Sequence, residues 1–277
     1  MLNIKDHRRD SAGMKYVYPV VSRRAGGVSI GINLNTNNAC NWACVYCQVP
    51  NLTRGGPLPV DLDQLENELR GFLHEVTAGD FLATQVPPEA RRLMDIAFSG
   101  NGEPTSAPEF AEAVQRVGRL MHEFGLQDSV KLRLITNGSL MFRPAVQEGI
   151  AAIGALNGEI WFKVDQATES GIERVNKVRL APEKVRESLL VCAGLAPTWV
   201  QTCYFAMDGQ ETTDTEREAY LDLIATVREK IKGVHLYGLA RPSLQPDASR
   251  LSNLNEEGFQ RFAKSISSLG IKVVANI

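Results

Sequence analysis

Short apolar runs alternate with segments of amphipathic helical pattern along the chain from about residue 28 onward. The runs are rich in Val, Ile, Leu and aromatic residues and are bounded by turn residues, which is typical of buried strands. The predicted strands are residues 28–34, 96–99, 131–136, 159–164, 200–205, 234–238 and 272–275. Repeated strand–helix units predict an α/β fold whose parallel sheet has right-handed crossovers.

The segments between these strands carry apolar residues at helical spacing, and several begin with capping signals. Ser106 and Glu109 stand in capping-box register before one helix, and Thr213 and Glu216 stand in the same register before another. The predicted helices cover residues 65–76, 110–124, 145–153, 185–192, 220–231 and 259–269. No linker rich in Gly, Ser or Pro divides the chain. We therefore expect one domain over residues 18–277, with residues 1–17 as an N-terminal extension.

The charges are balanced, with 30 basic and 32 acidic residues among 277 and no basic run longer than two. The pairs Arg23–Arg24 and Arg91–Arg92 are best explained as solvated surface. This balance lacks the electrostatic footprint of a nucleic-acid binder, so a nucleic-acid partner is not favoured.

The chain has no apolar run near the ~20 residues that a membrane span requires, and its first residues are polar rather than signal-like. Five cysteines without a signal peptide indicate a reducing compartment, where clustered cysteines serve metals or catalysis. We expect a cytoplasmic protein without a membrane partner.

Three of the cysteines, Cys40, Cys44 and Cys47, fall within eight residues directly after the first predicted strand. Thiolates this close together are typical of iron–sulfur clusters, and they also occur in zinc sites, which need a fourth ligand. A redox pair at Cys44 and Cys47 would leave Cys40 unexplained. The spacing favours a cluster and leaves zinc open. Cys192 and Cys203 are expected in the core.

The spacing CxxxCxxC, with Tyr46 before the last Cys, resembles the signature of the radical S-adenosylmethionine (SAM) superfamily. Residues 18–32, the segment Ser-Gly-Asn-Gly-Glu-Pro-Thr at 99–105 and Leu-Ile-Thr-Asn-Gly-Ser at 134–139 are more specific. They resemble a group of small Fe–S oxidoreductases related to the wyosine-forming tRNA enzymes. The resemblance covers about residues 18 to 190 in motifs.

This resemblance implies a partial (β/α)6 barrel of the TIM type, with room for an extra C-terminal strand. Polar motifs follow six successive predicted strands, and the carboxyl ends of parallel barrel strands share the face that carries the chemistry. The implied cofactors are a [4Fe–4S] cluster and SAM, which is cleaved reductively to a 5′-deoxyadenosyl radical that abstracts hydrogen from a substrate. An external electron donor of the flavodoxin or ferredoxin type is implied as a partner.

By the same resemblance, Cys40, Cys44 and Cys47 hold three irons, and the amino and carboxylate groups of SAM chelate the fourth. The residues assigned to SAM are Tyr46, Asn101, Gly102, Glu103, Asn137, Asp165 and Arg241. Asn101-Gly102-Glu103 stands where the family usually has Gly-Gly-Glu, a departure at its first position. Glu103 would receive the methionine ammonium; its ordinary alternative is a carboxylate on a surface turn.

The other assignments also have ordinary alternatives. Tyr46 would lie beside the adenine or serve as a core aromatic residue. Asn137 and Asp165 would bind the ribose hydroxyls or the methionine carboxylate, or else form a turn and a helix N-cap, respectively. Arg241 would neutralise the methionine carboxylate or a substrate anion, or form a salt bridge between strand ends.

The substrate is not identified by the sequence, and neither are its catalytic residues. A small molecule or peptide is the first interpretation, and RNA modification is the alternative. Wyosine-forming enzymes carry upstream cysteines for an additional cluster, whereas residues 1–39 contain none. A non-enzymatic Fe–S or zinc protein is the third interpretation, under which the strand-end motifs would be coincidental.

Overall fold

The structure, a computed structural model, describes residues 13–22 and 26–277, so Arg23, Arg24 and most of the expected N-terminal extension lie outside the described residues. The strands are β1 Val17–Ser22, β2 Gly27–Asn33, β3 Ala39–Cys40, β4 Thr53–Arg54, β5 Leu93–Ser99, β6 Lys131–Thr136, β7 Glu159–Lys163, β8 Thr198–Cys203, β9 Ala206–Met207, β10 Gly233–Tyr237, β11 Leu251–Ser252 and β12 Val273–Asn276. The helices are α1 Leu62–Thr77, α2 Phe81–Gln85, α3 Phe110–Glu123, α4 Pro144–Ala155, α5 Glu169–Asn176, α6 Pro182–Leu195, α7 Asp214–Val227 and α8 Glu256–Ser267.

The main sheet has the strand order β1-β2-β5-β6-β7-β8-β10-β12 and curls into a half barrel. From β2 to β12 every neighbouring pair is parallel, as the repeated strand–helix pattern predicts. The strand β12 is the extra C-terminal strand, so the predicted partial barrel is confirmed. The strand β1, which was not predicted, pairs antiparallel with β2 at the sheet edge. The proposed division at residue 17 stays a prediction.

The two faces of the curled sheet differ in chemistry. Alternate residues such as Ile96, Leu132 and Ile160 point into one large core and pack with the apolar faces of the helices. The helices contact one another in the series α1, α3, α4, α6, α7 and α8, which covers the outer face of the sheet. The other set of alternate residues, including Asp95 and Arg133, lines a cavity on the inner face.

Helix starts follow the sequence signals in one predicted case and depart from them in another. Thr213 and Glu216 form the complete capping box at α7. The box predicted at Ser106 and Glu109 is wrong, because Ser106 belongs to a short 3₁₀ turn and its hydroxyl donates to the carbonyl of Glu103 at 2.6 Å. The helix α3 therefore begins after Glu109 without a side-chain cap.

The helices α2 and α5 were not predicted by periodicity, and α5 contributes to the site described below. Thr168 caps α5 by accepting a hydrogen bond from the backbone of Gly171 at 3.0 Å. No helix in the described ranges has the length and apolar character that would let it cross a bilayer.

Candidate active site

The loops that follow the parallel strands converge on one cavity of about 320 Å³ at the carboxyl ends of the strands. This is the edge at which the resemblance placed the chemistry. The predicted site residues that line the cavity are Cys40, Cys44, Tyr46, Cys47, Asn101, Gly102, Glu103, Asn137 and Arg241. Asp165 is the one predicted site residue that does not line it.

The loop that carries the cysteines is fixed by backbone contacts to both sides. Cys40 lies in β3, which pairs with β4, and the backbone N–H of Gly55 donates to the carbonyl of Cys40 at 3.1 Å. At the other end, the Ser243 hydroxyl donates to the carbonyl of Val45 at 2.6 Å and to that of Cys47 at 3.2 Å. The three thiols are thus presented by a loop with defined geometry.

None of the five cysteines, all of which lie in the described ranges, forms a disulfide, and the three in the loop are partly buried. Burial raises the pKa of the Cys40 thiol to about 11 and that of the Cys44 thiol to about 12. Two donors nevertheless point at these sulfurs: the backbone N–H of Trp42 lies 3.5 Å from Cys40 Sγ, and the Asn176 amide lies 3.2 Å from Cys44 Sγ. Donors of this kind stabilise the thiolate form of cysteine, which is also the form that binds a metal.

Within the described ranges, no group of three or more His, Cys, Asp or Glu side chains stands ready to hold a single metal ion. A cubane cluster places its three thiolates on three different irons, so its ligands need not converge on one point. Three free thiols around one cavity, two of them with N–H donors, fit such a group.

Glu103 is buried, with 3% of its surface exposed, which contradicts a surface turn. Its Oε1 accepts from the hydroxyls of Thr105 and Thr136, each at 2.6 Å, and its Oε2 accepts from the backbone N–H of Asn137 at 2.7 Å. Burial raises the pKa of this carboxyl, while the three hydrogen-bond partners act in the opposite direction. Among the described residues no cation pairs with it, so the carboxylate is oriented toward the cavity with its charge uncompensated.

The preceding residues bring the Glu103 loop against the cysteine loop. A Cβ at Gly102 would lie 2.2 Å from the carbonyl oxygen of Ala39, so only glycine permits this approach. The Asn101 side chain donates to Asn38 Oδ1 at 2.7 Å. Asn101 Oδ1 is buried and has no hydrogen-bond partner in the described part of the chain, which leaves one acceptor for a ligand.

The side chain of Asn137 forms hydrogen bonds with the cysteine loop and with its own turn. Its amide donates to Asn41 Oδ1 at 2.9 Å, and its oxygen accepts from the Ser139 hydroxyl at 2.7 Å. Asn137 therefore ties the third strand end to the cysteine loop, while its backbone N–H serves Glu103.

Asp165 does not line the cavity and does not cap a helix, since Thr168 caps α5. Its carboxylate accepts from Tyr46 Oη at 2.5 Å, from the Asn176 amide at 2.9 Å and from the backbone N–H of Cys203 at 2.9 Å. Asp165 thus links the cysteine loop to the floor of the site.

Beside Asp165, the Lys163 ammonium lies 3.3 Å from Asp165 Oδ1, donates to Tyr237 Oη at 2.5 Å and faces the Tyr46 ring at 4.8 Å. Burial lowers the pKa of this ammonium, but Asp165 and Tyr237 raise it by more, so the net pKa lies above its ordinary value. Lys163 is consequently held as a cation. Tyr46 lines the cavity and packs edge-on against Phe205, and its position beside the adenine stays a prediction.

The sequence analysis missed the polar residues deeper in the cavity. Asp95, Arg133, Trp161 and Gln201 lie on the inner face, two to four positions before their strands end. The sequence of β6 does contain a sign of this polar face, because Arg133 stands between Leu132 and Leu134. A parallel strand buried on both faces is usually a continuous apolar run, so this alternation indicates one polar face.

Comparisons with known proteins support the fold. No model of a protein family matches the chain. It is similar to a UPF0026 protein of Helicobacter pylori (strain ATCC 700392 / 26695), with 27% identity over 165 residues that form 57% of this chain and 45% of that protein. The chain spans about half the length of the curated relatives that it matches.

Two solved structures share the architecture at low sequence identity. A radical SAM methyltransferase from Sphaerobacter thermophilus superposes with a TM-score of 0.59 at 16% identity, covering 94% of this chain and 68% of that one. TYW1 with a lysine–pyruvate adduct bound gives 0.55 at 13% identity, covering 88% and 74%. The chain therefore has the half-barrel fold of these enzymes, which confirms the fold that the resemblance of its cysteine, Gly-Glu-Pro and Thr-Asn-Gly motifs implied.

Proposed function

We propose that this chain is a radical SAM enzyme that holds a [4Fe–4S] cluster on Cys40, Cys44 and Cys47 and cleaves SAM reductively. The observation that carries the proposal is that three thiols outside disulfides share one cavity with the buried carboxylate of Glu103, which pairs with no cation among the described residues. A structural Fe–S or zinc protein would have no use for a buried carboxylate facing its metal site.

The cluster, when bound, supplies the electron that breaks the S–C5′ bond of SAM, giving methionine and a 5′-deoxyadenosyl radical for hydrogen abstraction. The protein supplies binding, orientation and protection from water. Glu103 receives the methionine ammonium in a charge-assisted hydrogen bond. The oxygen of Asn101 offers a second acceptor beside it, and Tyr46 lies on the cavity wall for contact with the adenine.

Two predicted ligands take different roles in this proposal. The side chains of Asp165 and Asn137 form hydrogen bonds with other protein side chains. We therefore propose that they position the cysteine loop rather than bind the ribose of SAM. Arg241, on the cavity wall, remains the proposed partner of the methionine carboxylate or a substrate anion.

The substrate is proposed to be a small molecule or peptide, because the cavity encloses about 320 Å³ and the chain carries no basic run longer than two. The electron comes from an external donor of the flavodoxin or ferredoxin type. A cytoplasmic setting suits five cysteines that are all free.

Reconstitution with iron and sulfide under anaerobic conditions tests the cluster. We expect about four irons and four sulfides per chain, because three thiolates and SAM complete a cubane. Cys40→Ala, Cys44→Ala and Cys47→Ala should each abolish this content. Cys192→Ala is the matched control, because Cys192 is fully buried in the apolar core away from the cavity. Stoichiometric zinc without sulfide would contradict the proposal.

A further inference from the structure

The inner face of the half barrel is polar well below the cysteines. Arg133 pairs with Asp95 and, at 2.8 Å, with Glu159, and the Ser29 hydroxyl donates to Asp95. The interior of a closed (β/α) barrel is usually filled by branched apolar side chains, so this layer calls for a different explanation. We call the part of the cavity lined by Ser29, Asp95, Arg133, Trp161 and Gln201, together with Asn276 at the carboxyl end of β12, the deep chamber.

Two amide groups of the deep chamber have no partner among the described residues. Gln201 Nε2 and Asn276 Nδ2 are buried and lack a hydrogen-bond acceptor in the described part of the chain. Gln201 is only 2% exposed and still borders the cavity. The strands that carry them, β8 and β12, flank β10 on its two sides. A buried donor left unpaired costs about 1–3 kcal/mol, so two around one cavity indicate a ligand that accepts hydrogen bonds.

The neighbouring charges decide what kind of acceptor fits. Arg133 is shared between two carboxylates, Asp95 and Glu159, so these three groups carry one excess negative charge when all are ionised. Lys163, the cross-strand neighbour of Gln201, also lines the cavity, but its charge is balanced by Asp165 at 3.3 Å. An incoming anion would meet that charge at low dielectric. A cation would be attracted but offers no acceptor to the amides. A neutral carbonyl satisfies both conditions without burying a charge.

We propose that the deep chamber binds the substrate of this enzyme, and that the substrate presents an uncharged carbonyl of the amide or lactam type to Gln201 and Asn276. This rests on the proposed function for the chemistry at the chamber's upper end. The chamber begins where the cysteine and Glu103 loops end, so a ligand held there lies next to the SAM-binding half of the same cavity. Trp161 forms part of its wall, with the Arg133 guanidinium 4.7 Å from its ring.

The test is a saturation-transfer NMR titration of the reconstituted protein with SAM present, using pyrrolidin-2-one as the neutral probe and succinate as the anionic probe. We expect pyrrolidin-2-one to bind and succinate to bind more weakly. Gln201→Leu should weaken pyrrolidin-2-one by about three- to tenfold, the loss expected for one neutral hydrogen bond. Asn276→Leu, near the sheet edge, provides a second variant if Gln201→Leu fails to fold.

Gln260→Leu is the matched control, because Gln260 is exposed on α8, away from the cavity. Equal affinity of wild type, Gln201→Leu and Asn276→Leu, no detectable pyrrolidin-2-one binding to wild type, or tighter binding of succinate would overturn the proposal. The readout does not depend on SAM cleavage. If the protein binds the probe through these amides but forms no cluster, the chamber proposal stands and the proposed function is contradicted. If it cleaves SAM but does not bind the probe, the proposed function stands and the chamber proposal is contradicted.

Discussion

At the scale of single residues, burial determines what Glu103 can bind. Its carboxylate is surrounded by the hydroxyls of Thr105 and Thr136 and the N–H of Asn137, and no described cation reaches it. These neutral donors hold the charge in place without cancelling it. A ligand ammonium entering the cavity would therefore gain a charge-assisted hydrogen bond worth about 1.5–3 kcal/mol.

Glu103→Gln is expected to raise the dissociation constant of SAM by about ten- to a hundredfold, because the charge is lost while the shape is kept. The amide keeps only one acceptor oxygen, so one of the two backbone N–H donors, that of Thr105 or that of Asn137, loses its partner; the thermal melt of the variant is therefore measured beside that of the wild type. Equilibrium dialysis of the reconstituted protein measures the constant. Glu169→Gln is the control, since Glu169 is exposed at the start of α5. Unchanged affinity in Glu103→Gln would show that the ammonium binds elsewhere.

Residue types and spacing predicted the three cysteines and Glu103 as members of one cavity. They did not predict the partners of Asp165, whose carboxylate accepts from a backbone N–H 38 positions along the chain at Cys203. Nor did they show that Asn137 is used by Asn41, 96 positions away. Such contacts depend on how loops from different strands meet, and no local pattern in the sequence encodes them.

At the scale of elements, α5 supports the cysteine loop. The backbone N–H of Val45 donates to the carbonyl of Val175 at 2.9 Å, and Ala43 donates to Asn176 at 3.3 Å. The Asn176 side chain then reaches both Cys44 Sγ and Asp165. One short helix thereby fixes the loop and places an N–H donor on a proposed ligand of the cluster.

Asn176→Leu is expected to shift the cluster's midpoint potential to a more negative value, because hydrogen bonds to sulfur stabilise the reduced, more negative cluster. Redox titration followed by electron paramagnetic resonance measures the shift. Val175→Ala is the control, since Val175 packs in the apolar cluster with Val45 and its side chain has no hydrogen-bond donor for a cysteine sulfur. The same potential in wild type and Asn176→Leu would contradict a role for this hydrogen bond.

Hydrophobic periodicity predicted the seven parallel strands of the main sheet, because each is a short apolar run between turn residues. It missed β1, where Pro19 interrupts the strand signal and pairing with β2 places the segment at the sheet edge. It also missed α5, whose eight residues are too few to show a helical period. The capping box predicted at Ser106 and Glu109 is wrong because Ser106 lies in the 3₁₀ turn after Glu103, where its hydroxyl donates to the Glu103 carbonyl.

At the scale of the whole molecule, charge and shape bear on the substrate. The chain has 30 basic and 32 acidic residues, and the candidate site is a cavity within the half barrel. Affinity for polyanions comes chiefly from Lys and Arg that release counterions from phosphates. These features favour a small ligand over a folded RNA.

Bulk tRNA is therefore expected to bind no more tightly than about 10⁻⁶ M, with a shallow dependence on salt. A titration at about 50 and 200 mM salt measures both quantities. Tighter binding with a steep slope would make RNA modification the leading function and displace the small-molecule proposal.

The central claim is that the three thiols and Glu103 form one SAM-cleaving site, and the formation of 5′-deoxyadenosine tests it most directly. Reconstituted protein reduced with dithionite should convert SAM slowly to 5′-deoxyadenosine and methionine in equal amounts, even without substrate. Cys44→Ala should form neither product, and Cys192→Ala should match the wild type. A fully loaded, reduced protein that leaves SAM intact, or a Cys44→Ala variant that still cleaves it, would contradict the account.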